Sequence, residues 1–512
     1  KAEGIFEKRY GYDPVTGNSA MPVPKDPGNG EGFKYSDLVS YANAMDQLSG
    51  QEIEENRFAS FYGALDYSLF DRYVLNVSFR TDGSNNFGSD EQFNPTWSAG
   101  AVWHVSEETF MEVVRPVLSR LSLRVATGYT GNINKTVKPN LMMKYYKNFR
   151  ISDDENYRMG YINNAPNPKL RWEKTRDVKV ALDFGLWKDR INGIVEAYWR
   201  KSKDCVTSEY VPVTTGFFNQ SYNTSVLQNN GVEFSLSVAV LKSKDYNLSV
   251  SANVAWNQNK LKKYNSPNTS LALDKYVGYP MGAVFSGKYE GIDPETGMYK
   301  FKLRPDAVTN KDGYLREPNN YYYYLGTSVA PFTGGFNLNF SYKNIGLSVG
   351  GSYSVKAKMV DNIESPAGYE LLSGSKLESI PTPHNDLYRN HLNVKREVRN
   401  RWTPENRTGV KYPRLIDAYG KKLGLDLTNP TLTTITRGAL LEDISYLRIN
   451  TIALSYSLPQ RVLERINFSS AALNLTLNNF FTITKYSGID PEVPGATYPV
   501  SRSVTIGLNV GF

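Results

Sequence analysis

From Phe58 to Phe512, apolar and polar residues alternate with period two, the spacing that puts successive side chains on opposite faces of a strand. VEFSLSVAV sets Val232, Phe234, Leu236, Val238 and Val240 against Glu233, Ser235 and Ser237. YNLSVSANVAW sets Tyr246, Leu248, Val250, Ala252, Val254 and Trp256 against Asn247, Ser249, Ser251 and Asn253. DVKVALDFGLW, FNLNFSYK and LSLRVATGY repeat the pattern, with Lys179, Asp183, Asn337, Asn339 and Arg124 on the polar side. The last segment, SVTIGLNVGF, sets Val504, Ile506, Leu508, Val510 and Phe512 against Thr505 and Asn509. Runs of about nine to eleven residues are what a tilted strand needs to cross a membrane. Soluble strands average only about five or six.

The pattern predicts about fourteen strands, near 58–69, 71–81, 96–105, 119–129, 174–186, 190–200, 230–241, 245–257, 283–290, 332–343, 345–355, 446–458, 471–481 and 502–512. An even count suits a free-standing bacterial barrel. Short connections such as 187–190, 241–245 and 342–345 alternate with long gaps at 130–170, 201–229, 258–282 and 357–440. Short periplasmic turns and long extracellular loops are the layout of an outer-membrane barrel. Residues 1–57 lack the period and are rich in turn residues, so they read as a long extracellular loop or linker. Alternation also fits a sandwich whose apolar face is a core. Aromatics near the ends of the apolar rows (Tyr246, Trp256, Trp187, Tyr129, Tyr342) favour interfacial girdles instead. The expected fold is all-β: an antiparallel transmembrane β-barrel spanning 58–512.

Composition agrees. At 512 residues the chain is too long for one ordinary soluble core, but not for an architecture that grows by adding strands. Its mean hydropathy is −0.45 and no run of apolar residues is long enough for a membrane helix. A barrel has such an average, because half its strand residues are polar. The net charge of +8 is scattered beside turns, as at Lys242, Lys244 and Lys260, and not clustered as in a nucleic-acid binder. The single cysteine, Cys205, excludes an intramolecular disulfide. The sequence opens at Lys1-Ala2-Glu3-Gly4 without a signal peptide, so a leader was removed or the chain is a piece of something longer.

Residues 442–493, EDISYLRINTIALSYSLPQRVLERINFSSAALNLTLNNFFTITKYSGIDPEV, carry a more specific pattern. Leu447, Arg448, Tyr456, Leu458, Pro459, Asn479, Phe481, Thr482, Thr484, Tyr486, Gly488, Asp490, Pro491 and Glu492 match in order the C-terminal signature of SusC/RagA-like TonB-dependent outer-membrane transporters of Bacteroidetes. FYGALDYSLFDRYVLNVSFRTDGSNNFG, NPKLRWEKTRDVKVALDFGLW, QNNGVEFSL and RWTPENR resemble further blocks of that family. The resemblance implies a barrel of the 22-stranded, plugged type, so that the plug and roughly eight strands are absent from this sequence. It implies active import of oligosaccharides or oligopeptides, a SusD-like surface lipoprotein, and energy from the TonB complex through the plug. It implies outer-membrane lipid and lipopolysaccharide around the wall, no cofactor, no nucleic acid and no enzymatic chemistry. The terminal Phe512 after alternating Val504, Ile506, Leu508 and Val510 resembles a barrel-assembly signal. The last strand is then expected to close against a strand this sequence does not contain.

Candidate chemistry outside the signature is sparse. Tyr321, Tyr322, Tyr323 and Tyr324 could stack on sugar rings or peptide side chains, or belong to a girdle or strand start. Asp293-Pro294-Glu295-Thr296-Gly297 and Asp490-Pro491-Glu492 read as turns, in which Asp caps and Pro presets φ. Calcium is the other reading of such carboxylates. His104, His384 and His391 have no zinc-site spacing. No serine-hydrolase elbow, phosphate loop or dinucleotide fingerprint occurs. Rival readings are a structural or adhesive outer-membrane barrel and a soluble carbohydrate-binding β-sandwich.

Overall fold

The computed structural model describes residues 57–132, 137–152, 155–217, 219–264, 277–295, 297, 299–302, 304–305, 322–360, 400–410, 437–494 and 498–512. The strands are β1 Phe58–Leu69, β2 Tyr73–Ser84, β3 Phe93–His104, β4 Leu118–Asn132, β5 Met142–Ser152, β6 Glu155–Asn164, β7 Glu173–Leu186, β8 Ile191–Tyr210, β9 Asn219–Lys242 and β10 Tyr246–Lys263. They continue with β11 Ala283–Ile292, β12 Tyr299–Lys302, β13 Tyr322–Thr327, β14 Phe332–Tyr342, β15 Ile345–Val355, β16 Lys358–Val360, β17 Leu441–Asp443, β18 Tyr446–Ser457, β19 Ser470–Thr484 and β20 Ser503–Gly511. Among the described residues one α-helix, α1 (Gln460–Arg465), lies between β18 and β19.

Thirteen strands form one antiparallel sheet in the order β1-β2-β3-β4-β7-β8-β9-β10-β14-β15-β18-β19-β20. The candidate at 283–290 is a strand, β11, but it pairs with β12 and β13 in a separate sheet between β10 and β14. Period two reports any half-buried strand face, and β11 has one through a local aromatic cluster. The main sheet therefore has an odd number of strands, and the parity expectation does not apply to it. Among the described residues β1 and β20 are its free edges.

Connections alternate as the gaps predict. Residues 70–72, 105–117, 187–190, 243–245, 343–344 and 458–469 lie at one end; the connections after β2, β4, β8, β10, β15 and β19 leave from the other. Phe512 lies at the turn end. Backbone at 70–71, 187–189 and 343 is left-handed, which lets these short turns reverse the chain. β8 and β9 run far into the predicted gap 201–229, pairing out to Tyr210↔Asn219. Alternation does not announce this extension, because its contacts with residues 166–172 are polar, as between Gln220 and the Pro166 carbonyl and between Asn223 and Arg171.

The register turns separate alternations into one surface. Leu65, Val77, Ala99, Thr127, Val178 and Trp199 are successive partners across β1 to β8. Val238, Val250, Leu338, Val349, Ile452, Leu477 and Val504 continue that face across β9 to β20. Outward positions are widely exposed, Ile506 at 73% and Leu65 at 60%. Tyr73, Trp103, Trp187, Tyr246, Tyr342 and Tyr456 edge this belt at the turn end. Where the belt has a glycine, a neighbouring ring covers it: a Cβ on Gly351 would lie 2.4 Å from the Phe336 ring.

One irregularity re-aims a side chain. Opposite β15, β18 carries an extra residue, Asn450, since Gly350 pairs with Thr451 but Gly351 with Ile449. Such a bulge reverses the alternation beyond it. Ile452, Leu454 and Tyr456 face the belt at even positions. Above the bulge the belt takes Leu447 and Ile449, and Arg448 turns to the polar face beside Ser352 and Thr482. Facing it, β19 accommodates Asn479 and Phe480 between paired Asn478 and Phe481. Asn479 has φ of 58°, a left-handed conformation that Asn tolerates better than most residues.

Candidate functional site

The polar face is a ladder of hydrogen bonds and ion pairs. Arg80 meets Asp82 at 2.7 Å, Arg124 meets Asp183 at 2.6 Å, Arg200 meets Asp177 at 2.9 Å and Lys179 meets Glu196 at 3.4 Å. Ser78–Ser98, Thr175–Ser202, Asn229–Asn259 and Asn339–Ser348 pairs continue it. Between Arg120, Ser235, Ser251, Asn253 and Asn337 this wall holds a concavity of about 440 Å³. Such a surface is hydrated, offers donors and acceptors of both signs, and suits passage of polar solutes.

The C-terminal signature assembles at the loop end. Arg448 is 2% exposed. Its guanidinium donates to Asp490 Oδ1 and lies 2.9 Å from Glu492. Asp490 also accepts the backbone N–H groups of Glu492 at 2.9 Å and Val500 at 3.2 Å. Burial opposes ionisation of Asp490, but those two N–H groups and Arg448 outweigh it and hold its carboxyl below the usual carboxylate range. Asn479 donates to the Ser501 carbonyl at 3.0 Å. Tyr486 is buried with Ala357 and Ile444, and Gly488 lies against its ring. Pro491 continues the turn after Asp490. The segment 485–502 is thus fastened to the inner wall at several points. Tyr456 and Pro459 sit apart from this cluster, at the turn end, where Pro459 precedes α1.

A second knot joins the family-like blocks at the loop end. Asn167 donates to the Ser221 carbonyl at 2.7 Å, and Trp172 stacks on Phe87 at 4.6 Å. Arg171 pairs with Asp204 at 2.7 Å. Trp402 Nε1 donates to the Pro294 carbonyl at 2.9 Å, linking the RWTPENR block to the 293–297 turn. In that turn Asp293 Oδ1 accepts the Glu295 N–H and Gly297 has φ of 71°, as turn chemistry requires. Among the described residues no group of three or more His, Cys, Asp or Glu could hold a metal ion.

The tyrosine run divides. Tyr321 and the Tyr322 side chain lie outside the described residues, as do His384, His391 and 1–56. Tyr324 lies in β13 and packs with Tyr279 at 4.9 Å and Phe285 at 5.7 Å. With Trp256, Asn257 and Lys260, Tyr279 and Tyr324 line a loop-end cavity of about 480 Å³. Tyr279 and Lys260 were not singled out by period or motif. In β20, Val504, Ile506 and Leu508 pair with Leu477, Leu475 and Leu473, and Phe512 meets Phe468 edge-on at 5.2 Å.

An apolar belt on one face, a polar ladder on the other and loops gathered at one end define the wall of a membrane β-barrel. A family model described as TonB dependent receptor-like, beta-barrel matches residues 8–363, and the chain belongs to that family, whose barrels lie in the outer membrane. It is 27% identical over 488 residues to TonB-dependent receptor SusC of Bacteroides thetaiotaomicron, covering 89% of this chain and 44% of that protein. TonB-dependent receptor P26 of Formosa agariphila is 26% identical over 498 residues, covering 89% and 46%. The solved structure of the RagAB peptide transporter superposes with a TM-score of 0.72 at 26% identity, covering 90% of this chain and 48% of that chain. The chain spans about half the length of the curated relatives it matches.

Proposed function

We propose that this chain is wall and loops of a SusC/RagA-like importer of oligosaccharides or oligopeptides. The observation that carries the reading is likeness to the RagAB peptide transporter across 90% of the chain, with the polar ladder on one face of the same sheet. In this reading the belt meets lipid and lipopolysaccharide, and the inner ladder lines the solute path. Tyr324 and Tyr279 offer ring faces to the cargo, with Tyr321, Tyr322 and Tyr323 as neighbours. A SusD-like surface lipoprotein covers the loop end, and 1–57 serves as a long extracellular loop or linker. The TonB complex supplies energy through a plug, and further strands pair with the free edges of β1 and β20.

Deleting the gene in the source bacterium is expected to abolish growth on, and uptake of, one class, either fluorescent oligosaccharide or fluorescent oligopeptide. Unchanged uptake of both classes overturns import and leaves an adhesive or structural barrel. Removing Phe512 alone is expected to lower the amount of folded, heat-modifiable protein in the outer membrane several-fold, through loss of the assembly signal and the Phe468 contact. Normal assembly of that variant would sink the assembly-signal reading.

A further inference from the structure

The connection between β3 and β4 has surface chemistry that barrel closure and solute passage do not use. Residues 109–117 form helical turns, held by Val114 N–H to Met111 O at 3.0 Å and, at the start of β4, by Leu118 N–H to Val114 O at 2.8 Å. Phe110, Val113, Val114 and Val117 recur at the spacing of one helical face. That face is bare: Phe110 is 66% and Val113 88% exposed, with Val114 and Val117 also exposed. The opposite side is anchored, with Met111 and Glu108 buried. Isolated exposed apolar residues need no explanation, but a contiguous face does.

The anchor fixes where this face lies. Glu108 accepts from Tyr73 OH at 2.5 Å and Trp103 Nε1 at 3.0 Å, and pairs with Arg72 at 3.3 Å. These hydrogen bonds, that from Tyr73 foremost, hold the Glu108 carboxyl below its usual range. Tyr73 and Trp103 belong to the lipid-facing row, as partners of each other and of Leu123. Segment 105–117 therefore lies over the outer surface of the barrel at the turn end, continuous with the belt, and not across the lumen.

We propose that residues 109–117 form an interfacial element that lies in the turn-side leaflet, with Phe110, Val113, Val114 and Val117 in the phospholipid acyl region. Its flank carries Asp71, Glu107 and Glu112 beside Arg72 and Arg115, and Arg115 is tied to Glu107 at 3.2 Å. With no positive excess, apolar burial drives the contact, and it does not require anionic lipid. The element fixes the height of β3 and β4 in the membrane by binding lipid beside the wall, independently of what the barrel transports.

The test uses the intact transporter, with Cys205→Ser and Val113→Cys, labelled at position 113 with an environment-sensitive fluorophore and reconstituted in phosphatidylcholine vesicles. Labels at Leu182 and Ser235 give lipid-facing and lumen references. The label at 113 is expected to lose most of its emission to lipids with nitroxides in the outer 5–10 Å or so of the acyl region, the depth of interfacial helices. Aqueous iodide is expected to quench it little, and adding phosphatidylglycerol to leave both results unchanged. Quenching by iodide alone overturns the proposal. So does protection from both quenchers, which means that protein covers the face. A requirement for phosphatidylglycerol overturns the apolar mechanism. None of these outcomes depends on the import reading.

Discussion

Replacing Arg448 by Met is expected to release segment 485–502 from the inner wall. Arg448 and Asp490 side chains are 2% and 7% exposed, so the variant leaves a buried carboxylate without its cation. Removing one partner of a buried pair typically costs about 3–5 kcal/mol. The Glu492 contact contributes little beyond this, because Glu492 is 42% exposed and solvent screens it. The measurement is limited proteolysis of the intact protein in outer-membrane vesicles: new cleavage within 485–502 in the variant and none in the parent. Equal resistance would mean that Arg448 does not hold the loop. Combining Arg448→Met with Asp490→Asn is expected to recover part of the protection by removing the orphaned charge. The pH dependence has a definite sign. The folded Asp490 carboxyl titrates below its unfolded value of about 3.9, so its contribution is complete above that value and fades as pH falls through the folded one. Protection should therefore be flat from neutrality down to mildly acidic pH.

A charge on the belt should cost far more than the same charge one residue away. Leu338 lies near the middle of β14, between Val250 and Val349, and Leu338→Arg is expected to destabilise the inserted barrel by about 2–4 kcal/mol. Asn337, between Ser251 and Gly350, faces the polar wall, and Asn337→Arg should be tolerated. The readout is the folded fraction by heat-modifiable migration after refolding into vesicles across a urea series. Equal losses for the two variants would refute the assignment of faces.

Period two was enough to locate the strands of the main sheet, because lipid and water on opposite faces make the alternation strict. It misplaced Ala283–Ile292, whose alternation serves a local aromatic cluster and not the belt. It stopped short on β8 and β9, whose upper parts are held by polar contacts with residues 166–172 and not by apolar side chains. The signature motif gave the residues of the loop anchor in order, but not the contact between Arg448 and Asp490, which are 42 positions apart. The bulge was visible in YLRINTIALSYS: apolar residues fall on odd positions at Leu447 and Ile449, then on even ones from Ile452. Glu108 carried no signal, since a carboxylate in a short turn looks like any solvated residue until Tyr73 and Trp103 are seen around it.

The extra residue at Asn450 gives this region slack in length as well as in identity. Substituting Asn450 leaves the count of residues, and so the direction of every side chain above it, intact. Deleting it would remove the bulge and leave Thr451 opposite Gly350, Ile449 opposite Gly351 and Arg448 opposite Ser352, so every side chain above it keeps its face. A single lost codon there is absorbed without exchanging the two faces of the wall, whereas one lost from a regularly paired strand reverses every face beyond it, so homologues should show gaps here more readily than in β14.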